Sequence, residues 1–238
     1  MVAFGRLGIL GRNGWFCREA DVERWNSVAG WRGLRDPAVL QYFNGTFLAF
    51  EKDWGDEELR MSNLGLLYDV RYLGADTASD LIRARLDADL PTFFYLWSPH
   101  PLNARYRLNR IQLPAYSTLF EQGLSDYPID VLEKVASKQL AVLTPAVAEL
   151  YARFEIENSA QESIMASIDG EGSSAMEAVC TWMQKDENAA VWKAWLPVEK
   201  PICDDGHYMV NATSCAPCLP GSGSIGGTAT ACARCSAG

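Results

Sequence analysis

The sequence predicts an α/β fold followed by a small cysteine-rich tail, and three observations point there. Up to about residue 115, short apolar or alternating runs take turns with amphipathic helical stretches, the order of a mainly parallel sheet. One run, Pro91-Thr92-Phe93-Phe94-Tyr95-Leu96, ends in Trp97-Ser98-Pro99-His100. That places a large ring at the carboxyl end of a strand, where open α/β sheets hold their ligands. Five of the seven cysteines fall after residue 202, so the end of the chain relies on a different stabilising chemistry.

Taken in order, Gly45-Thr46-Phe47-Leu48-Ala49-Phe50 reads as a strand, and Glu57 to Leu64 as a short helix whose acidic start suits its amino end. Tyr68 to Leu73 is an alternating strand stopped by Gly74. Thr77 to Leu90 is a helix with Ala78, Leu81, Ile82 and Leu86 on one face. The Phe93 strand follows, then an extended segment from Tyr106 to Leu113. From Asp130 onward the chain reads as helical. Thr144-Pro145 opens one helix with the stripe Val147, Leu150, Tyr151 and Phe154, and capping boxes at Ser159 and Ser174 open two more. The second box starts a helix with Met176, Val179, Cys180 and Met183 inward. A last helix carries Val191, Trp192, Trp195 and Leu196, and a linker from Pro197 to Pro201 leads into the tail.

A net charge of −9 argues against a nucleic-acid partner or an anionic membrane surface. No apolar run reaches the ~18 residues of a membrane span. The first ten residues do not read as a signal peptide, whereas the tail cysteines and the sequons at Asn44 and Asn211 speak for an oxidising, secreted setting. Together these imply a fragment, or a product lacking its beginning. His100 and His207 are the two histidines, and neither has a nucleophile patterned near it, so the chain reads as a non-enzyme without a cofactor. The G-x-G-x-x-G at Gly221 lies between cysteines with no strand before it, and is no dinucleotide site.

Trp54, in Glu51-Lys52-Asp53-Trp54-Gly55-Asp56-Glu57, occupies a second strand-to-helix junction. Two indoles at loop tips of one α/β domain suit a quaternary ammonium ion, which has no N–H to donate and is attracted to ring faces. Core packing is the competing reading for each ring. The acidic cluster Glu51, Asp53, Asp56, Glu57 and Glu58 reads as a solvated helix start. In the tail, Cys215-x2-Cys218 and Cys232-x2-Cys235 with thirteen residues between fit a four-thiolate zinc site. The additional Cys203 and the Gly/Ser/Thr-rich spacer favour disulfides instead, since so small a segment needs staples.

The landmarks Leu34-Arg35-Asp36-Pro37, Asp53-Trp54-Gly55, Asn63-Leu64-Gly65-Leu66, Tyr95-Leu96-Trp97-Ser98-Pro99-His100 and the closing stretch from Thr181 to Leu196 occur in one order. In that order they resemble the substrate-binding proteins of glycine betaine and choline ABC importers over roughly residues 5 to 197. The resemblance implies a type II periplasmic-binding fold and a cage of about three aromatic rings around a trimethylammonium group. Carried over by position, Trp54 and Trp97 are cage walls, and the Gly55 and Asp56 amides meet the ligand carboxylate. His100 supports the Trp97 loop or donates to the ligand. Trp15 aligns with the crossover strand and is a third cage candidate, with hinge packing as its alternative. The family's first lobe opens with a further stretch that is absent here, so the chain holds one lobe and the closing part of the other. The anionic Asp56 departs from the family pattern.

The tail resembles the cysteine-rich repeat of ephrin-receptor-like ectodomains, which implies the pairs Cys203 with Cys215 and Cys218 with Cys232. The expected division is 1–198 for the binding domain and 199–238 for the tail. The implied function is a solute-binding module for glycine betaine or choline, in transport or in extracellular sensing with a membrane permease or receptor portion as partner. The implied setting is extracellular or periplasm-equivalent, with a membrane tether. A structural or adhesive protein with a degenerate binding fold is the alternative.

Overall fold

The computed structural model describes residues 1–197, 203–211, 214–220 and 222–234. In chain order its first elements are β1 (Val2–Arg18), α1 (Glu19–Arg24), α2 (Pro37–Tyr42), β2 (Thr46–Ala49), α3 (Glu57–Asn63), β3 (Asp69–Tyr72), α4 (Ala75–Asp87) and β4 (Phe94–Ser98). There follow α5 (Pro101–Arg105), β5 (Leu108–Arg110), β6 (Ile129–Ala136), α6 (Leu140–Leu143), α7 (Pro145–Arg153), α8 (Asn158–Glu171), α9 (Ala175–Gln184) and α10 (Asp186–Lys193). The tail adds β7 (His207–Asn211), β8 (Ser214–Pro217), β9 (Ser222–Gly223) and β10 (Ala233–Arg234). Parts of the linker (198–202) and of the second sequon (212–213), and Cys235, lie outside the described residues.

Contacts group the chain into two units, Met1–Ala136 with Phe154–Trp192, and Ser137–Arg153 with Lys193–Gly238. This grouping assigns α6 and α7 to the tail, where a cut at 198/199 assigns them to the larger part.

The larger unit is built on one sheet in the order β3-β2-β4-β1-β5, with β6 also paired to β1. β2 runs parallel to β3 and β4, while β1 is antiparallel to β4, β5 and β6. The sheet is therefore mixed, not mainly parallel. Sequence periodicity does not pick out β1, because Gly5, Gly8, Gly11 and Gly14 interrupt its alternation. Two of these glycines take positive φ (91° and 92°) where the β1–β6 register shifts, as bulges require. The segment after residue 129, expected to be helical, is a strand because β1 offers it a pairing edge. Its Ile129, Val131 and Val135 remain more than 45% exposed.

Helix faces also differ from the periodic reading. In α4, Ala78, Ile82 and Leu86 are buried, but Leu81 is 39% exposed. α8 starts at Asn158 without the box at Ser159. The Asn158 amide instead grips the Leu10 backbone, accepting from its N–H at 2.9 Å and donating to its carbonyl at 2.8 Å. The Ser174–Glu177 box is present. Its helix, however, buries Ala178 and Trp182 and leaves Met176, Val179 and Cys180 outward, a rotation of the inner face set by the neighbour it packs on. In α7, Val147 and Leu150 are exposed. Trp195 and Leu196 lie beyond the end of α10.

The core is unusually aromatic. Trp15, Phe47, Phe50, Phe93 and Phe94 are almost fully buried together with Leu96, Leu102 and Ile111. Phe47, Tyr68 and Trp15 surround Phe93 at 4.5, 5.0 and 5.7 Å between ring centroids. Cys17 is a buried free thiol, pushed up to about 12 chiefly by burial.

In the tail, β7 pairs antiparallel with β8, and β9 with β10. Disulfides join Cys203 to Cys215 and Cys218 to Cys232, with Cα separations of 5.7 and 5.8 Å. Those four sulfurs are consumed in S–S bonds, which rules out a four-thiolate zinc site.

Candidate functional site

The parallel strands β2 and β4 aim their carboxyl ends at one region. After β2 the chain runs through Phe50 into a single 3-10 turn, Lys52–Trp54, and then into α3. Trp97 is the fourth residue of β4, and a cis Ser98–Pro99 bond turns the chain into α5. The two indoles therefore meet edge to face at 5.5 Å, although 43 residues separate them in sequence. Phe50 completes the group, stacked on Trp54 at 6.0 Å and edge-on to Trp97 at 5.0 Å. Trp97 is partly buried, whereas Trp54 is 51% exposed and presents an open indole to solvent.

His100 lies against Trp97, ring centroids 4.6 Å apart and nearly perpendicular. It caps α5, its Nδ1 accepting the Leu102 N–H at 3.1 Å. Burial, then the Arg83 guanidinium, lowers its pKa to about 4, against a smaller opposing effect of Asp169. The ring is thus neutral at physiological pH, with its remaining proton on Nε2. Two further bonds hold this loop: Ser98 Oγ donates to Glu162 on α8 at 2.9 Å, and Asn103 Nδ2 donates to the Trp97 carbonyl at 3.0 Å.

Beneath Trp54 lies a small void of about 10 Å³, room for about one water molecule, lined by Phe50, Glu51, Trp54, Gly55, Glu57 and Tyr95. The Gly55 and Asp56 N–H groups meet no protein acceptor among the described residues. The Asp56 carboxylate is engaged as the cap of α3, accepting the Leu59 N–H at 2.8 Å. That accounts locally for an anionic residue at this position.

Trp15 does not reach this surface. It is fully buried, packs on Phe47 and Phe93, and donates its indole N–H to Glu57 Oε2 at 2.7 Å. Its place opposite Tyr95 in the β1–β4 ladder puts it inside the core. Glu57 corrects the expectation of a solvated acidic cluster, being 3% exposed. Tyr127 donates its hydroxyl to Glu57 Oε1 at 2.5 Å, and Arg60 Nε lies 3.8 Å from Oε2. The Arg60 guanidinium sits over the Tyr127 ring at 4.3 Å and donates to the Ser125 carbonyl. Burial raises the Glu57 pKa, while the Tyr127 hydroxyl and Arg60 favour the carboxylate. Sequence reasoning missed Glu57, Tyr127 and Arg60. The i, i+3 pairing of Glu57 with Arg60 was the available local signal, and Tyr127 had none.

An α/β lobe with indoles at the carboxyl ends of two neighbouring parallel strands has the architecture of the type II periplasmic-binding class. Residues 1–185 match the model of the substrate-binding domain of ABC-type glycine betaine transport systems, and the chain belongs to that family. Among solved structures it is similar to an ABC-transporter choline-binding protein in complex with choline, at 15% identity and a TM-score of 0.52. The match covers 80% of this chain and 64% of that one. It is also similar to lactococcal OpuAC in its closed form with glycine betaine, at 14% identity and a TM-score of 0.52, over 82% and 70% of the two chains. A glycine betaine/carnitine/choline ABC transporter structure matches at 14% identity and a TM-score of 0.53, over 78% and 64%. Identities this low show the fold alone. The chain spans about two thirds of the length of these structures. Among curated proteins, none matches in sequence.

Proposed function

We propose that this chain is a solute-binding module for a small quaternary amine of the glycine betaine and choline class, used in ABC-type transport or extracellular sensing. The observation that carries the reading is the Trp54–Trp97 pair, 5.5 Å apart, one on the turn after β2 and the other in the last part of its parallel neighbour β4. Desolvated ring faces attract a quaternary cation by about 2 kcal/mol or more. A cation held between two faces needs a wider gap than an edge-to-face contact offers, so binding turns Trp54, the exposed partner, away from Trp97. His100, neutral and capping α5, keeps the turn after Trp97 in place, and the Gly55 and Asp56 amides are donors for an anionic or hydroxyl group of the ligand. Trp15 acts from the core by holding Glu57.

The partners that go with this reading are a membrane permease or a receptor portion, in an extracellular or periplasm-equivalent setting. The two-disulfide tail, ephrin-receptor-like in its cysteine pattern, then serves as a stalk or spacer to a membrane tether. A division near 198/199 separates binding from spacing. The packed Trp54–Trp97 contact also suits a second reading, a structural or adhesive module whose rings stay closed.

Calorimetric titration with choline and glycine betaine, alongside Trp97→Ala, separates the two. Saturable binding with a change in tryptophan emission, lost in the variant, supports the solute-binding reading. A folded wild-type chain that binds neither amine supports the structural one.

A further inference from the structure

The first sequon, Asn44-Gly45-Thr46, lies just past the end of α2. There the Asn44 and Gly45 N–H groups close back on the Gln41 and Leu40 carbonyls at 3.0 and 2.8 Å. This is a Schellman stop, and it puts Asn44 in the left-handed region at φ 54°, which asparagine tolerates better than most residues. The Thr46 N–H bonds the Phe43 carbonyl at 3.2 Å, and the Thr46 hydroxyl donates to the Asn44 carbonyl at 3.1 Å. The backbone of the tripeptide is thus fixed. The Asn44 side chain, by contrast, is exposed, and its amide meets no protein partner among the described residues.

Beside it lies a groove of about 220 Å³, with Asn44, Thr46, Leu81, Arg85 and Pro91 among its lining residues. At ~30 Å³ per water that is room for about seven waters, or for one pyranose ring. Leu81, 39% exposed against the period of its helix, and Pro91 offer apolar surface to a ring face. Arg85 donates Nε to Thr92 Oγ1 at 3.3 Å and Nη2 to the Pro91 carbonyl at 2.6 Å, which leaves Nη1 for a sugar oxygen. The groove sits at the amino ends of β2 and β4, whereas Trp54 and Trp97 stand at their carboxyl ends.

We propose that Asn44 carries an N-linked glycan whose first sugar seats in this groove. The inference goes beyond amine binding and depends only on the extracellular setting, with which the two tail disulfides agree. Transfer from a lipid-pyrophosphate-linked oligosaccharide forms a bond between Nδ2 and the anomeric carbon and breaks that carbon's bond to a phosphate oxygen. Lipid pyrophosphate leaves with the electron pair, and Nδ2 loses one proton. The glycan covers Leu81 and the amino end of the strands, and leaves the end with the two indoles open.

The test is secretion of the full chain, behind a cleavable leader, from a cell line that makes N-glycans. Asn211→Gln is included so that mass reports position 44 alone. Intact mass before and after peptide N-glycosidase should show one glycan. Thr46→Val, which keeps Asn44 and the branched strand residue, should lose it, and Thr46→Ser should keep it. Melting is then compared for the chain trimmed to its first sugar and for the chain made with synthesis of the lipid donor blocked, which retains asparagine at 44. The trimmed chain should melt about 2–4 °C higher, and Leu81→Ala should shrink that difference. A secreted, disulfide-bonded chain without a glycan at Asn44 overturns the proposal, whatever the amine titrations give. Equal melting of the two forms, or a difference that Leu81→Ala leaves unchanged, overturns the seating of the sugar in the groove.

Discussion

Acidification should weaken the fold through His100. The ring is 9% exposed, sits edge-on to Trp97, and has Arg83 near enough to oppose a second positive charge. Its pKa falls from the ordinary imidazole value of 6.5 to about 4. Above the higher value both the folded and the unfolded chain hold it neutral, and it contributes no pH dependence. Below that, the unfolded chain takes up a proton that the folded chain refuses until about pH 4, so stability drops through this window. Between about pH 7.5 and about pH 4.5 the loss comes to about 2.5 kcal/mol. Urea unfolding at both pH values, for wild type and His100→Asn, isolates this contribution. Asparagine keeps a side-chain acceptor for the Leu102 N–H but does not titrate. Carboxylates titrating in the same range are common to both chains and cancel. Wild type should lose about 2.5 kcal/mol more than the variant. Equal losses would refute the burial of a neutral imidazole here.

Three further outcomes follow from the network beneath Trp54 and from the tail. Arg60→Met leaves the Glu57 carboxylate buried without its cation and should cost about 3–5 kcal/mol at neutral pH by urea unfolding. That cost should shrink on acidification as Glu57 takes up a proton. Trp15→Phe keeps most of the core volume but removes the N–H from Glu57, for a loss of about 1–3 kcal/mol by the same assay. Reducing the Cys218–Cys232 bond, with its sequence separation of 14, should destabilise the tail by about 3 kcal/mol. Limited proteolysis under reducing conditions should then cleave the tail while the larger unit persists.

The sequence already carried the local part of this molecule. The runs that became β2, β3 and β4 are short, apolar or alternating and bounded by turn residues, and nearest-neighbour chemistry suffices to locate them. Trp54 was legible as a ring on the turn after a strand, whereas Trp97, read as a loop-tip ring, lies in the last part of β4 itself. That the tail is stapled by disulfides was legible from its size and cysteine content, while the pairing itself came from the resemblance to the ephrin-receptor-like repeat.

What the tertiary structure alone decided concerns partners distant in the chain. Strand direction in the sheet is one case, because β1 is recognisable only when β4, β5 and β6 stand beside it. The inner face of α9 is another, set by what it packs on and not by its own period. The edge-to-face closure of Trp54 on Trp97 joins residues that no local pattern couples. Glu57 shows the difference most sharply. At a helix start among four other acidic residues it reads as solvated, yet Trp15 and Tyr127, 42 and 70 residues away, donate to it in the core. Local sequence determines which backbone conformation is favourable. Burial and charge pairing are set by long-range contacts, and here those contacts place a carboxylate beside the void under Trp54.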